Sequence, residues 1–249
     1  MMIAHQALVD ALSIILLASL IVLVAHIMKG VTGFGSSLII VPLLSLFLDI
    51  KFVVPVMAIM TFFAGLILFL MTKKHIKKDE FFLVLMFVMV GSFIGAQILA
   101  NYDSILLKRI FAIFVILFSL RMLLTSERKI IRKIKKFWGA IAGFIGGILG
   151  GMFDTNGPPI VIYFGHKLDK EKFRATITAI FFVDVIWRNI LYVSNGVTSL
   201  DTLKFALFLL PALIIGIFLG SKIHLKINEV LFRRIVAVIL LITGIVLIF

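Results

Sequence analysis

The sequence contains no cysteine, and only 15% of its 249 residues are charged. Without cysteine, the chain can form neither a disulfide framework nor a thiolate metal site. So few charges cannot cover the surface of a soluble domain of this length. The chain is instead 62% hydrophobic, with a mean hydropathy of +1.23. This composition indicates an integral membrane protein.

Uncharged apolar runs, such as 52–71 and 81–100, are as long as the roughly 20 residues of α-helix that span a bilayer core. The alternating polarity of transmembrane β-strands is absent from the sequence. We therefore predict an all-α integral membrane protein surrounded by a lipid bilayer. Its full-length spans should lie near 52–72, 80–100, 105–124, 173–193, 203–220 and 230–249.

The net charge of +13 could suggest a nucleic-acid partner. Most basic residues, however, lie in short loops between apolar runs, where the positive-inside rule accounts for them. We predict no nucleic-acid partner and a cytoplasmic position for these loops. They are 73–80, 125–136, 165–174 and 221–234.

Two apolar regions are interrupted. Region 8–48 contains the Gly-rich segment GVTGFG at 30–35, and region 137–167 contains the polar segment MFDTNGPP at 152–159. Non-helical backbone at membrane depth survives only where it lines a polar cavity or is buried in protein. Each region is predicted to be a broken helical hairpin.

The two halves of the chain resemble each other. GSFIGAQI at 91–98 matches GIFLGSKI at 216–223, which indicates an internal repeat. Loop 73–80 is basic, whereas its repeat equivalent 194–203 has no Lys or Arg, so the copies should be inverted. Each would hold one broken hairpin and three transmembrane helices, with both termini external. The predicted division is 1–124, a basic cytoplasmic linker 125–136, and 137–249.

The two breaks are predicted to hold a small anion. In inverted-repeat transporters, helix N-termini at such breaks point free N–H groups at an anionic ligand. The predicted substrate contacts here are Gly33, Gly35, Ser36, Ser37, Thr155, Asn156, Gly157 and Pro158. The alternative is that the glycines serve close helix packing. We favour packing for Gly91, Gly95, Gly143, Gly216 and Gly220.

The motifs GFGSSLIIVPLL (33–44) and GGILGGMFDTNGPPIVIYF (146–164) resemble the paired Gly-rich motifs of the sulfite exporter TauE/SafE family, also called the toluene sulfonate uptake permease family. The resemblance implies a prokaryotic plasma-membrane permease for sulfite, thiosulfate or organosulfonates, working in exchange with protons. It points to Gly33, Gly35, Ser36 and Ser37, and to Asn156, Gly157 and Pro158. The usual glycine triplets are replaced by serines in the first motif and interrupted by 154–156 in the second.

Charged residues inside spans are functional hypotheses by default. Asp184 and Arg188 lie four residues apart and can pair on one helix face. Arg188 would attract the anion while Asp184 tunes it or carries a proton. Alternatively the pair is structural, with Arg188 extending to the outer surface.

Asp154, His26 and Lys29 lie near the breaks. Asp154 could carry a coupling proton or cap the following helix. Lys29 could neutralise the substrate, and His26 could titrate near neutral pH. Both would mean little if they lay at the membrane interface.

Together these features predict a proton-coupled secondary transporter of a small anion, working by alternating access around a midmembrane site. An anion-selective channel of the same architecture is the alternative. We predict no enzyme, no catalytic residue, no metal site and no cofactor, because the five histidines are dispersed and no metal or nucleotide motif occurs. A homo-oligomer is left open.

Overall fold

The protein is seen in a computed structural model that describes residues 2–32, 35–72, 76–124, 134–165, 167–223 and 229–249. Within these ranges the chain forms ten α-helices and no strand, as the apolar runs predict. The helices are α1 (Met2–Thr32), α2 (Ser36–Leu44), α3 (Ile50–Thr72), α4 (Lys78–Asn101), α5 (Ser104–Leu124), α6 (Lys136–Phe153), α7 (Gly157–Gly165), α8 (Lys170–Ser194), α9 (Leu200–Ile223) and α10 (Glu229–Ile248).

Six of these helices are long and apolar enough to cross a membrane, and they are α1, α3, α4, α6, α8 and α9. Four coincide with predicted full-length spans, whereas α1 and α6 are the first legs of the predicted hairpins. The predicted spans 105–124 and 230–249 do not reach this standard in the described residues. Helix α5 carries Lys108, Arg109 and Arg121, and the part of α10 whose side chains are described, Arg234–Ile248, is apolar but shorter than 18 residues.

Each half contains a short helix that follows an interruption. Helix α1 ends at Thr32, and α2 begins at Ser36 after Gly35, whose φ of 93° is left-handed and suits glycine. Helix α6 ends at Phe153, and α7 begins at Gly157. Prolines in the first turn of α7 give up only N–H groups that a helix start leaves free. Gly33 lies outside the described residues.

Glycines bring two helix pairs into backbone contact, α4 with α6 and α1 with α9. A Cβ at Gly147 would collide with the carbonyl oxygen of Val88, and one at Gly220 with that of Ile27. The packing role is confirmed for the five glycines to which the sequence assigns it, because a Cβ on any of them would press on backbone of the facing helix. They are Gly91, Gly95, Gly143, Gly216 and Gly220.

Helices α3 and α8 pack against each other and are the most enclosed of the candidate spans. Of the residues in their apolar stretches, 61% and 56% are buried. This position explains how they can carry polar side chains. Thr61 of α3 and Asp184 and Arg188 of α8 all lie inside the protein rather than facing lipid. The interior polar site is therefore built around α8.

A second polar group joins the start of α4 to the end of α7. The Tyr163 hydroxyl donates to Oε2 of Glu80 at 2.7 Å, and Nζ of Lys167 lies 2.8 Å from Oε1 of the same carboxylate. Glu80 is buried. A Cβ at Gly139 would lie 2.7 Å from Cζ of Tyr163, so the start of α6 packs directly on this ring.

Candidate functional site

Arg188 lies at the centre of a buried polar cluster. Its Nε donates to Oδ2 of Asp184 at 2.8 Å, and its Nη1 donates to Oδ1 of Asp154 and to the carbonyl oxygen of Gly150 at 3.1 Å. The pair with Asp184 forms as the four-residue spacing predicts. The alternative in which Arg188 extends to the outer surface is wrong, because the side chain is fully buried and its charge is neutralised inside the protein.

Asp154 connects the two halves of the chain. It ends α6 with a left-handed backbone (φ 53°), and its N–H bonds to Gly150 at 2.8 Å. Its Oδ2 accepts from the Ser37 hydroxyl of α2 at 2.5 Å and from the Thr61 hydroxyl of α3 at 2.8 Å. The side-chain bonds thus go to α2, α3 and Arg188, so Asp154 closes α6 instead of capping α7.

Asp184 gathers a second set of donors. Its Oδ1 accepts from the Ser92 hydroxyl of α4 at 2.5 Å, and its Oδ2 accepts from Nδ2 of Asn156 at 2.8 Å. Asn156 immediately precedes α7. Asp154 therefore joins Ser37, in the first turn of α2, to α8. Asp184 joins Asn156, which precedes α7, to the same helix.

The charges of the cluster are balanced within the protein. Two carboxylates face the Arg188 guanidinium, and the second cation is Lys29, which is only 6% exposed. Lys29 interacts electrostatically with Asp154 and with Arg188. Charges at membrane depth are expensive unless paired, so the pairing of Arg188 with Asp154 and Asp184 accounts for three ionisable side chains in an apolar bundle.

His26 is fully buried, and its Nδ1 lies 2.9 Å from the carbonyl oxygen of Val22. Because a carbonyl only accepts, Nδ1 carries the hydrogen and Nε2 presents a lone pair. Nε2 has no hydrogen-bond partner in the described part of the protein. A Cβ at Gly216 would lie 2.8 Å from Cβ of His26, which places this residue at the contact between α1 and α9.

The structure brings some of the predicted site residues together and leaves others at the edge. Ser37, Asn156, Asp154, Asp184 and Arg188 form the hydrogen-bonded cluster. Thr155 is buried, but its hydroxyl donates to the Phe153 carbonyl at 3.0 Å and so stays with its own backbone. The remaining described residues of the predicted substrate contacts lie at the starts of α2 and α7. They are Gly35, Ser36, Gly157 and Pro158.

The sequence analysis did not identify Thr61, Ser92 and Tyr192. Tyr192 lies one turn after Arg188, is fully buried, and donates to the Gly151 carbonyl at 2.8 Å. Thr61 is an isolated polar residue in the middle of α3, and Ser92 is the hydroxyl residue within a glycine-lined helix contact. A polar side chain in the middle of an apolar helix is the signal that could have identified Thr61 and Ser92.

Both short helices are linked to Arg188 through its two carboxylate partners. Ser37 in the first turn of α2 donates to Asp154, and Asn156 just before α7 donates to Asp184. Among the described residues, no three His, Asp or Glu side chains form a group that could hold a metal.

Comparison with known proteins supplies the family. A family model described as "Sulfite exporter TauE/SafE" matches residues 18–247, which is nearly the whole chain. No curated protein and no solved structure matches the sequence. The matched family is one of membrane transporters, in agreement with the six membrane-spanning helices. This multi-pass membrane protein therefore belongs to the TauE/SafE sulfite exporter family.

Proposed function

We propose that the protein is a secondary transporter of a small sulfur-containing anion such as sulfite, thiosulfate or an organosulfonate. The observation that carries the proposal is the buried arginine, Arg188, held by Asp154, whose other oxygen binds Ser37 at the start of α2. A cation beside two helix starts inside a membrane protein is suited to an oxyanion.

The anion would bind by competing for Arg188. Its oxygens would replace Asp154 on the guanidinium and accept hydrogen bonds from Ser37 and Thr61, which now donate to the carboxylate. Arginine suits this exchange because its planar group binds two oxygens at once. Lys29 would offset the remaining negative charge.

Proton coupling follows from the same competition. A carboxylate that loses its arginine at low dielectric favours the neutral, protonated form. An anion on Arg188 and a proton on Asp154 would then occupy one state together and cross the membrane in the same direction, which is cotransport and differs from the proton exchange that the family resemblance implies. Asp184 and His26 are further proton carriers in this proposal, since the first contacts Arg188 and the second has a free ring nitrogen.

Access from alternate sides requires two equivalent halves, 1–124 and 137–249, around a linker at 125–136. Three features support an inverted repeat: the matching motifs, a short helix after an interruption in each half, and the reciprocal packing of α1 on α9 and α6 on α4. With the basic loops in the cytoplasm, both termini would be external. The family resemblance implies that the membrane is a prokaryotic plasma membrane.

Uptake into proteoliposomes tests the function. Purified protein should accumulate radiolabelled sulfite or thiosulfate, and a pH gradient should alter the rate. Sulfate, sulfoacetate and empty vesicles provide the comparison. If neither labelled anion enters above the level of empty vesicles, the proposed substrate class is wrong.

A channel would give a different result in the same vesicles. It would conduct the anion down its gradient, and the conductance would ignore the pH gradient and survive the replacement of Asp154 by Asn. Accumulation driven by a proton gradient distinguishes the transporter.

A further inference from the structure

Helix α8 carries a second pair of polar side chains nearer its start, Arg174 and Thr178. They are one turn apart and so share a helix face. Arg188 lies close to the same face, about 20 Å further along at 1.5 Å per residue. The start of α8, which holds Lys170 and Lys172, is the basic end of this helix, and the pair lies between this basic end and the buried cluster.

Both side chains have hydrogen-bonding atoms that no partner uses. Nε of Arg174 and Oγ1 of Thr178 are buried, and neither makes a hydrogen bond in the described part of the protein. Thr178 is only 3% exposed. Arg174 donates from Nη2 to the Gly30 carbonyl at 3.4 Å, which is long for an N–H···O bond.

The position of Arg174 continues a series of cations into the protein. Gly30, which it contacts, follows Lys29 in α1. Arg174 is half-buried, Lys29 is 6% exposed and Arg188 is fully buried. An anion moving inward from the basic end would meet a positive side chain at each stage.

We propose that Arg174 and Thr178 form an outer subsite that binds the transported oxyanion on its way to or from Arg188. The guanidinium would donate Nε–H and a terminal N–H to two oxygens, and the Thr178 hydroxyl would donate to the third. This inference rests on the proposed anion transport and adds a second binding site to the path of the anion.

Kinetics in proteoliposomes made of neutral lipid test the subsite. With radiolabelled sulfite, Arg174→Gln should raise KM by about threefold to tenfold, and Thr178→Val by about twofold, with little change in maximal rate. Arg174→Lys should recover part of the affinity because it restores the charge. Raising the ionic strength should increase KM of the wild type toward that of Arg174→Gln.

Lys172→Gln is the matched control. Lys172 is an exposed basic residue two positions away, and its Nζ is paired with Asp169 at 2.9 Å, so its loss should leave KM unchanged.

Two results would overturn the subsite. The first is an unchanged KM in Arg174→Gln, and lower thermal stability of that variant would then assign Arg174 to closing the end of α1. The second is a KM change that occurs only in vesicles containing anionic lipid, which would assign Arg174 to a lipid phosphate. If wild-type protein moves neither sulfite nor thiosulfate, the proposed function itself fails, and the subsite fails with it.

Discussion

Arg188 and Asp154 form a buried ion pair between the interior helix α8 and the residue that ends α6. The same carboxylate accepts a hydrogen bond from Ser37 at the start of α2. One ion pair therefore joins the interruption in the second half to the short helix of the first. Disrupting it should affect transport and stability in separable ways.

Arg188→Lys keeps the positive charge but loses the planar fork that binds two carboxylates at once. We expect sulfite uptake to fall by about tenfold or more, because lysine cannot reproduce both contacts. Arg188→Gln should be more harmful, since removing one partner of a buried ion pair costs about 3–5 kcal/mol. Initial rates and size-exclusion profiles of both variants check this. Full transport by Arg188→Lys would remove the guanidinium from the site.

Asp154→Asn should weaken the coupling of transport to protons. The amide cannot take up a proton, yet its oxygen can still accept from Arg188. We expect downhill sulfite exchange to continue while stimulation by a pH gradient falls to the part that Asp184 and His26 support. Asp201→Asn, at an exposed position near the start of α9, is the control and should behave like wild type. A pH-gradient response in Asp154→Asn as large as that of the wild type would show that the coupling proton binds elsewhere.

Gly147→Ala tests the backbone contact between α4 and α6. The added methyl group would meet the Val88 carbonyl oxygen, and such overpacking costs about 1–3 kcal/mol. The melting temperature in detergent should fall by several degrees. Gly165→Ala provides the matched control, because the nearest atom to its Cβ would be Cε2 of Phe173 at 4.0 Å. Equal melting temperatures for the two variants would contradict the contact.

Tyr163→Phe removes the hydroxyl that donates to Glu80 at the junction of α4 and α7. Because Glu80 is buried, the lost bond should lower the free energy of unfolding by about 1–3 kcal/mol. Tyr102→Phe removes an equivalent hydroxyl from a tyrosine that is 53% exposed and should change little. Thermal unfolding monitored by size-exclusion chromatography compares the two. A melting temperature of Tyr163→Phe that matches the control would show the bond to be energetically neutral.

The sequence predicts the helical membrane fold because long uncharged runs have few other solutions. It also predicts the Asp184–Arg188 pair, since the helical period places those side chains on one face. It does not reveal that Asp154 is the second partner of Arg188, because the two residues are 34 positions apart in the sequence and meet only through the tertiary fold. Ser92 and Thr61 were missed for the same reason: a hydroxyl in an apolar helix has meaning only once its partner on another helix is known.

The two halves follow one another along the chain, but their helices are interleaved in the fold. Helix α1 is in backbone contact with α9, and α6 with α4, so each half contributes its first helix to a pair completed by the other. Because glycines line these contacts, the helix backbones touch directly, and no layer of side chains lies between them that could rearrange. Rocking the two halves as separate bodies would break both of these contacts. In the proposed alternating access, the two crossed pairs would therefore move against one another, with α3, α8 and the Arg188 ion pairs between them.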